Sequence, residues 1–138
     1  MTISLSDISS RDDVVRLVDS FYDRVRGDDL IGPIFNEVAH VDWGTHLPKM
    51  YDFWESVLFG STGFKGNPLG VHLALSRRTA LTSHEFDRWM SLFQATVDDL
   101  FSGATASSAK LRAARIAVTM QNHIADQACQ PDMTLRGV

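Results

Sequence analysis

Apolar residues recur along most of the chain with the spacing of amphipathic helices. Over residues 12–27 they fall at i, i+3, i+4 and i+7, which places them on one helical face. A second stretch covers Trp43–Phe59, and a third follows a Thr-Ser-His-Glu capping box at 82–85. A fourth covers residues 106–128 and precedes Pro131, which stops a helix. Strict two-residue alternation never lasts, so the pattern predicts an all-α protein of four substantial helices with short connecting ones.

Short segments rich in glycine and proline connect these stretches. A Gly-Pro pair within residues 30–35 predicts a turn or a single helical turn, and residues 60–66, with three glycines, predict a loop. The Asn-Pro pair at 67–68 has the form of an N-cap followed by proline at the first helical position. It predicts a short helix whose apolar face carries Leu69, His72 and Leu73.

Composition narrows the class of protein. The chain has 138 residues, which suits one domain over 1–138. Its formal net charge is −4, from 13 basic and 17 acidic residues, which argues against a nucleic-acid partner. No apolar run approaches the about 20 residues of a membrane span, and no secretory signal is visible. The single cysteine, Cys129, excludes an intrachain disulfide and cysteine-rich metal sites. We therefore expect a cytoplasmic protein without a membrane partner.

The histidines are the first candidates for chemistry. His72 stands among leucines on the predicted short helix. A histidine in such a setting is most often a core residue, but a neutral imidazole is also a common ligand of haem iron. His46, Met50 and Phe53 follow at i, i+4 and i+7, so one helical face presents a polar head and then apolar surface. This second pattern is weak when taken alone.

Polar aromatic residues within apolar stripes are the second group of candidates. Tyr22 follows Phe21 on the first helix, and Trp89 lies between Phe86 and Phe93 on the third. A buried tyrosine O–H or tryptophan N–H needs a hydrogen-bond partner. That partner is either a backbone carbonyl or a ligand in a pocket, and the residues alone leave both readings open. The chain carries no zinc, phosphate-loop, dinucleotide or nucleophile-elbow motif.

Several strings, in the same order along the chain, resemble the group III (P-class) truncated haemoglobins. They are FYDRVR at 21–26, GPIF at 32–35, HLPKMYDFW at 46–54, GNP at 66–68 with His72, EFDRWMSLF at 85–93 and ARIA at 114–117. The resemblance covers roughly residues 10–125. One departure is Ser83, where the family pattern leads us to expect proline near the start of the long helix.

The resemblance implies a truncated globin, a two-over-two helical sandwich around a b-type haem with a core at about 10–128. It implies that His72 is the proximal iron ligand, that Tyr22 and Trp89 are the distal tyrosine and tryptophan, and that His46 gates entry near the pocket mouth. The remaining positions expected to contact the haem are Phe35, Lys49, Met50, Phe53, Trp54, Leu69 and Phe86. Among them, Lys49 is expected to reach a propionate, and Phe53, Trp54 and Phe86, with Phe93, to form pocket wall or core.

The expected ligands are O2, CO and NO. Tyr22 and Trp89 would each donate a hydrogen bond to the bound ligand, worth about 1.5–3 kcal/mol when the acceptor is charged. Two such bonds would slow the release of the bound ligand, and slow ligand release suits storage, sensing or redox chemistry better than oxygen transport. NO detoxification, peroxide-linked chemistry and an unidentified electron-donating reductase are further expectations. Two alternatives remain, a haem-free globin-like regulatory or interaction domain in which His72 is only core, and a ferric sensor with His46 at the sixth site.

Overall fold

The computed structural model describes residues 5–38, 42–60 and 81–129. These residues form four α-helices and one π-helical turn. The helices are α1 (Arg11–Arg26), α2 (Trp43–Phe59), α3 (Ser83–Leu100) and α4 (Ala104–Cys129), and the π-helical turn is Ile34–Val38. The predicted short helix with Leu69 and His72 lies outside the described residues.

The second helix has the bounds that its sequence pattern predicts, and α1 begins and ends one residue earlier than the predicted 12–27. The side chain of Ser10 caps α1 by accepting a hydrogen bond from the backbone of Asp13, and acidic residues occupy the first turn, where the helix dipole favours them. Asp42 caps α2 in the same way, and Gly60 ends it in the left-handed conformation with φ 74°. Pro48 lies inside α2 without ending it.

The capping box predicted for α3 is present. The backbone N–H of Thr82 donates to Glu85 Oε1 at 2.6 Å, and the Thr82 hydroxyl accepts from the backbone of His84 at 3.2 Å. The reciprocal bonds satisfy two backbone donors that would otherwise lack partners at the helix start. The N-terminus of α3, which carries Phe86 and Trp89, is therefore set by local sequence.

The start of α4 differs from the prediction. The helix begins at Ala104 rather than at residue 106, because the Asp7 carboxylate accepts hydrogen bonds from the backbones of Thr105 and Ala106 at 2.9 and 2.8 Å. The bond from Thr105 is the main reason that the pKa of Asp7 lies below its ordinary value. Gly103 precedes the helix with φ 145°, and a Cβ there would lie 2.5 Å from Asp7 Cγ. Periodicity cannot reveal a cap supplied from almost a hundred residues away.

The helices pack as two pairs, α1 with α2 and α3 with α4, and α1–α3 and α2–α4 contacts join the pairs. The face of α1 that meets the other helices is fully buried, and small alanines allow α4 to approach closely. Core members from the four helices are Val14, Leu17, Val18, Phe21, Val25, Trp54, Phe93, Val97, Ala106, Ala109 and Ala113. Every regular element of the described residues is helical, which confirms the predicted all-α class. None of the described helices is both long and apolar enough to cross a membrane.

Candidate functional site

Tyr22 lies at the centre of an aromatic cluster built from three elements. Its ring centroid is 5.4 Å from that of Trp43, 5.2 Å from that of His46 and 6.1 Å from that of Phe35. The cluster thus joins the end of α1, the π-helical turn and the start of α2. Only 6% of Tyr22 is exposed, and burial raises the pKa of its hydroxyl above the ordinary value. The hydroxyl therefore stays protonated at neutral pH and remains a hydrogen-bond donor.

Trp43 is a member of this cluster that the sequence interpretation assigned only to the apolar stripe of α2. Its ring is 5.6 Å from that of His46 at an interplanar angle of 83°, and it stacks on Phe35 at 6.0 Å. The guanidinium of Arg26 lies over its outer face, 4.9 Å from the ring centroid. The i, i+3 spacing of Trp43 and His46 was the signal available in the sequence, because it places both side chains on one helical face.

Trp89 approaches the same region from α3. Its ring stacks on Phe93 at 5.8 Å and meets the edge of Phe21 at 5.6 Å, with an interplanar angle of 86°. Phe21 in turn contacts Tyr22, with 4.9 Å between the ring centroids. The two predicted distal residues therefore both contact Phe21, and each also has aromatic contacts of its own. These contacts fix the position of both side chains by packing.

Phe93 stacks on both Trp54 and Trp89. Trp54 is 2% exposed and stacks on Phe93 with centroids 4.9 Å apart. Both residues belong to the main core cluster. Both are therefore buried residues of the core, and the expected contact of Trp54 with haem stays a prediction.

One face of α2 continues from the aromatic cluster towards α4. His46, Met50, Phe53 and Val57 follow at spacings of four, three and four residues, and each is half-buried. Lys49, on the neighbouring flank, is exposed. The stripe is thus apolar, except for His46 at its beginning, and it is only partly covered by the rest of the described protein.

The far end of this stripe opens into a cavity between α2 and α4. The cavity has a volume of about 380 Å³, and its lining residues are Phe53, Val57, Arg112, Arg115, Ile116, Thr119 and Met120. Met120 also packs against Phe86 and Ala117 in a second small cluster. Phe86 thus belongs to the cluster behind the lining residue Met120, whereas Phe53 lines the cavity directly. The apolar lining and the two arginines describe a site for a mainly apolar group with a polar edge.

These observations fit a haem. A flat apolar macrocycle needs an apolar wall, which the half-buried face of α2 and the cavity provide. A ligand on its iron would need a hydrogen-bond donor nearby, and Tyr22 contacts His46 at the start of that face. The predicted residues that would complete the other side, Leu69 and His72, lie outside the described residues, so their roles stay predictions.

Comparisons with known proteins agree with this architecture. The sequence profile of the bacterial-like globins matches residues 6–122. The group 3 truncated hemoglobin ctb of Campylobacter jejuni is 29% identical over 116 residues, which are 82% of this chain and 89% of that protein. The crystal structure of a group III truncated hemoglobin from Campylobacter jejuni superposes with a TM-score of 0.75 at 28% identity, covering 87% of this chain and 94% of that one. The chain therefore belongs to the bacterial-like globin family, and the expected resemblance to group III truncated haemoglobins is confirmed.

Proposed function

We propose that this protein carries a b-type haem, held through His72, and reversibly binds O2, CO and NO beside Tyr22 and Trp89. The observation that supports the proposal most is the position of Tyr22, buried against His46 at the start of a half-buried apolar face. When bound, haem would supply an iron atom that binds a diatomic ligand. Leu69, Met50, Phe53 and Phe86 are proposed to enclose the macrocycle.

The distal residues set how long a ligand stays. Tyr22 remains protonated and so donates a hydrogen bond to a ligand that gains negative charge on binding. A hydrogen bond to a charged group is worth about 1.5–3 kcal/mol, and each 1.4 kcal/mol slows release about tenfold. The indole N–H of Trp89 is proposed as a second donor, and His46 as the residue that controls entry. Because the ring of Tyr22 contacts that of His46, the residue proposed to stabilise the bound ligand and the residue proposed to control its entry belong to one aromatic cluster.

Slow release favours storage, sensing or redox chemistry over oxygen transport. Donors aimed at a bound ligand also polarise it, which suits reaction of O2 with NO, or turnover of peroxide. Such turnover needs an electron donor, and we propose a separate reductase in that role. The exposed Lys49, beside the α2 face, is proposed to pair with a haem propionate.

Haem uptake and ligand binding test the proposal directly. Purified protein is titrated with hemin, and absorption spectra are recorded for the ferric, dithionite-reduced and CO-treated forms. A globin-type Soret band that shifts on addition of CO to the reduced protein is expected, because the proposed site would leave the iron free to bind CO. A protein that takes up no hemin would contradict the proposal and favour the haem-free interaction domain. A haem protein whose reduced spectrum ignores CO would contradict the open ligand site.

A further inference from the structure

A buried carboxylate lies at the junction between α1, the π-helical turn and α3. Asp28 follows the C-cap of α1, and its side chain is only 8% exposed. Its Oδ2 accepts hydrogen bonds from the backbones of Leu30 and Ile31 at 3.0 and 2.9 Å. Its Oδ1 accepts a hydrogen bond from Arg88 Nη1 at 2.8 Å. One carboxylate therefore has three donors from two separate parts of the chain.

The three bonds account for the ionised state of Asp28. Burial alone would raise the pKa of this carboxyl, but the N–H of Ile31, the guanidinium of Arg88 and the N–H of Leu30 together hold the pKa below its ordinary value. A buried charge is tolerated only where hydrogen bonds replace the lost water. Loss of any one donor would therefore leave the charged carboxylate without a hydrogen bond that it needs. Because the donors come from the turn and from α3, the three bonds hold these two parts together.

Arg88 immediately precedes Trp89 on α3. Successive residues of a helix point about 100° apart, so fixing the Arg88 side chain against the Asp28 turn also fixes the rotation of α3 at Trp89. Trp89 then meets the edge of Phe21 on α1. The ion pair and the ring contact are adjacent on α3; the ion pair joins α3 to the turn that follows α1, and the ring contact joins it to α1 itself. The Arg88–Asp28 pair thus sets the orientation in which the Trp89 indole meets Phe21, the neighbour of Tyr22 on α1.

The same carboxylate orders the turn that carries Phe35. The carbonyl of Ile31 accepts hydrogen bonds from the backbones of Ile34 and Phe35, at 3.1 and 3.4 Å. Because Asp28 binds the N–H of Ile31 and the carbonyl of Ile31 accepts from Phe35, a single residue connects the carboxylate to Phe35. Phe35 contacts Tyr22. The Asp28 carboxylate thus connects the elements that hold Tyr22, Phe35 and Trp89.

We propose that Arg88 is a positioning residue for Trp89, acting through its bond to the buried carboxylate of Asp28. The inference rests on the proposed function, since it assigns the orientation of a distal residue of the same site. Arg24 of α1 and Asp99 of α3 form another ion pair, at 2.5 Å, but its carboxylate is exposed and lies eleven residues further along α3. Eleven residues correspond to about 16 Å of helix, so this pair is a matched control.

The first readout follows the indole itself and does not require haem. In protein labelled with ¹⁵N-tryptophan, the three indole N–H signals are assigned by Trp→Phe substitutions. Arg88→Gln is expected to shift the Trp89 signal while the signals of Trp43 and Trp54 change little. Arg24→Gln is expected to leave all three in place, and Arg88→Lys, which keeps the charge, to restore part of the wild-type position. Equal shifts in Arg88→Gln and Arg24→Gln would overturn the proposal.

The second readout is the O2 dissociation rate of the haem-loaded protein. Arg88→Gln is expected to raise this rate several-fold, and to add nothing further once Trp89 is replaced by Phe. A double-mutant cycle measures this coupling, because independent effects would multiply. Multiplying effects would overturn the positioning role, whereas failure to bind haem would overturn the proposed function and leave the NMR test intact. If Arg88→Gln does not fold, Asp28→Asn replaces it, since the amide oxygen still accepts a hydrogen bond.

Discussion

The ring of His46 stands almost perpendicular to that of Tyr22, with 5.2 Å between the centroids and 83° between the planes. The contact joins the first turns of α2 to the last turns of α1. An imidazole proposed to control entry therefore touches the tyrosine proposed to hold the ligand. Substitutions at either residue should change both the association rate and the dissociation rate of the haem ligand, but to different extents.

Replacing Tyr22 with Phe should raise the O2 dissociation rate about 10–100-fold, since it removes a hydrogen bond of about 1.5–3 kcal/mol. The burial of Tyr22 makes Phe a conservative replacement for stability. Stopped-flow displacement of O2 by CO measures the rate. The chain has a second tyrosine, Tyr51, outside the aromatic cluster, and Tyr51→Phe is the matched control. An unchanged rate in Tyr22→Phe would show that the hydroxyl does not contact the ligand.

Trp43 should affect entry rather than release. It packs edge-on against His46 and is itself covered by Arg26. Trp43→Leu removes the flat surface that supports the imidazole, so the CO association rate is expected to rise several-fold after flash photolysis. Trp43→Phe keeps an aromatic ring and should stay close to wild type. Equal association rates in the leucine and phenylalanine variants would mean that His46 is held by other contacts.

Tyr51 links α2 to α1 by donating a hydrogen bond to Asp19. Partial burial and the bond to Asp19 raise the pKa of Tyr51 to about 12, above its ordinary value of about 10. The bond therefore contributes stability that is complete below pH 10 and is lost as the pH rises towards 12. Urea unfolding should show Tyr51→Phe less stable than wild type by about 1 kcal/mol at pH 8, with the gap closing near pH 12. A stability difference that is the same at pH 8 and at pH 12 would show that the hydrogen bond from Tyr51 to Asp19 is not its cause.

Gly103 should tolerate no side chain. Its φ of 145° disfavours all other residues, and a Cβ would meet the Asp7 carboxylate that caps α4. Gly103→Ala is expected to lower the free energy of unfolding by about 1–3 kcal/mol. Gly27 ends α1 with φ −95°, and a Cβ there would meet only ordinary contacts, so Gly27→Ala is the control and should cost little. Similar losses in both variants, measured by urea unfolding, would show that the Asp7 cap is not the cause.

Local patterns were sufficient to predict most of the helices. The bounds of α2 follow from an apolar stripe between Asp42 and Gly60, and the start of α3 follows from the Thr82–Glu85 capping box. Each signal involves residues within one or two turns of each other. The start of α4 could not be predicted in this way, because Asp7 is distant in sequence and meets the helix only after folding.

The site was predictable in part for the same reason. Tyr22 and His46 carried the family resemblance, and the structure brings them together. The contacts of Trp43 with His46 and of Asp28 with Arg88 were missed, since each depends on how two elements pack. Asp28 and Arg88 are 60 positions apart in the sequence, and no spacing rule could join them.

The absorption spectrum of the His72→Ala variant, compared with the wild type and with His84→Ala, tests haem ligation most directly. His84 is an exposed histidine at the start of α3 and should leave the spectrum unchanged when replaced. If His72 holds the iron, His72→Ala should lose or alter the Soret band of the ferrous CO form, and added imidazole should restore it. A wild-type spectrum in His72→Ala would contradict the assignment of His72 as the iron ligand.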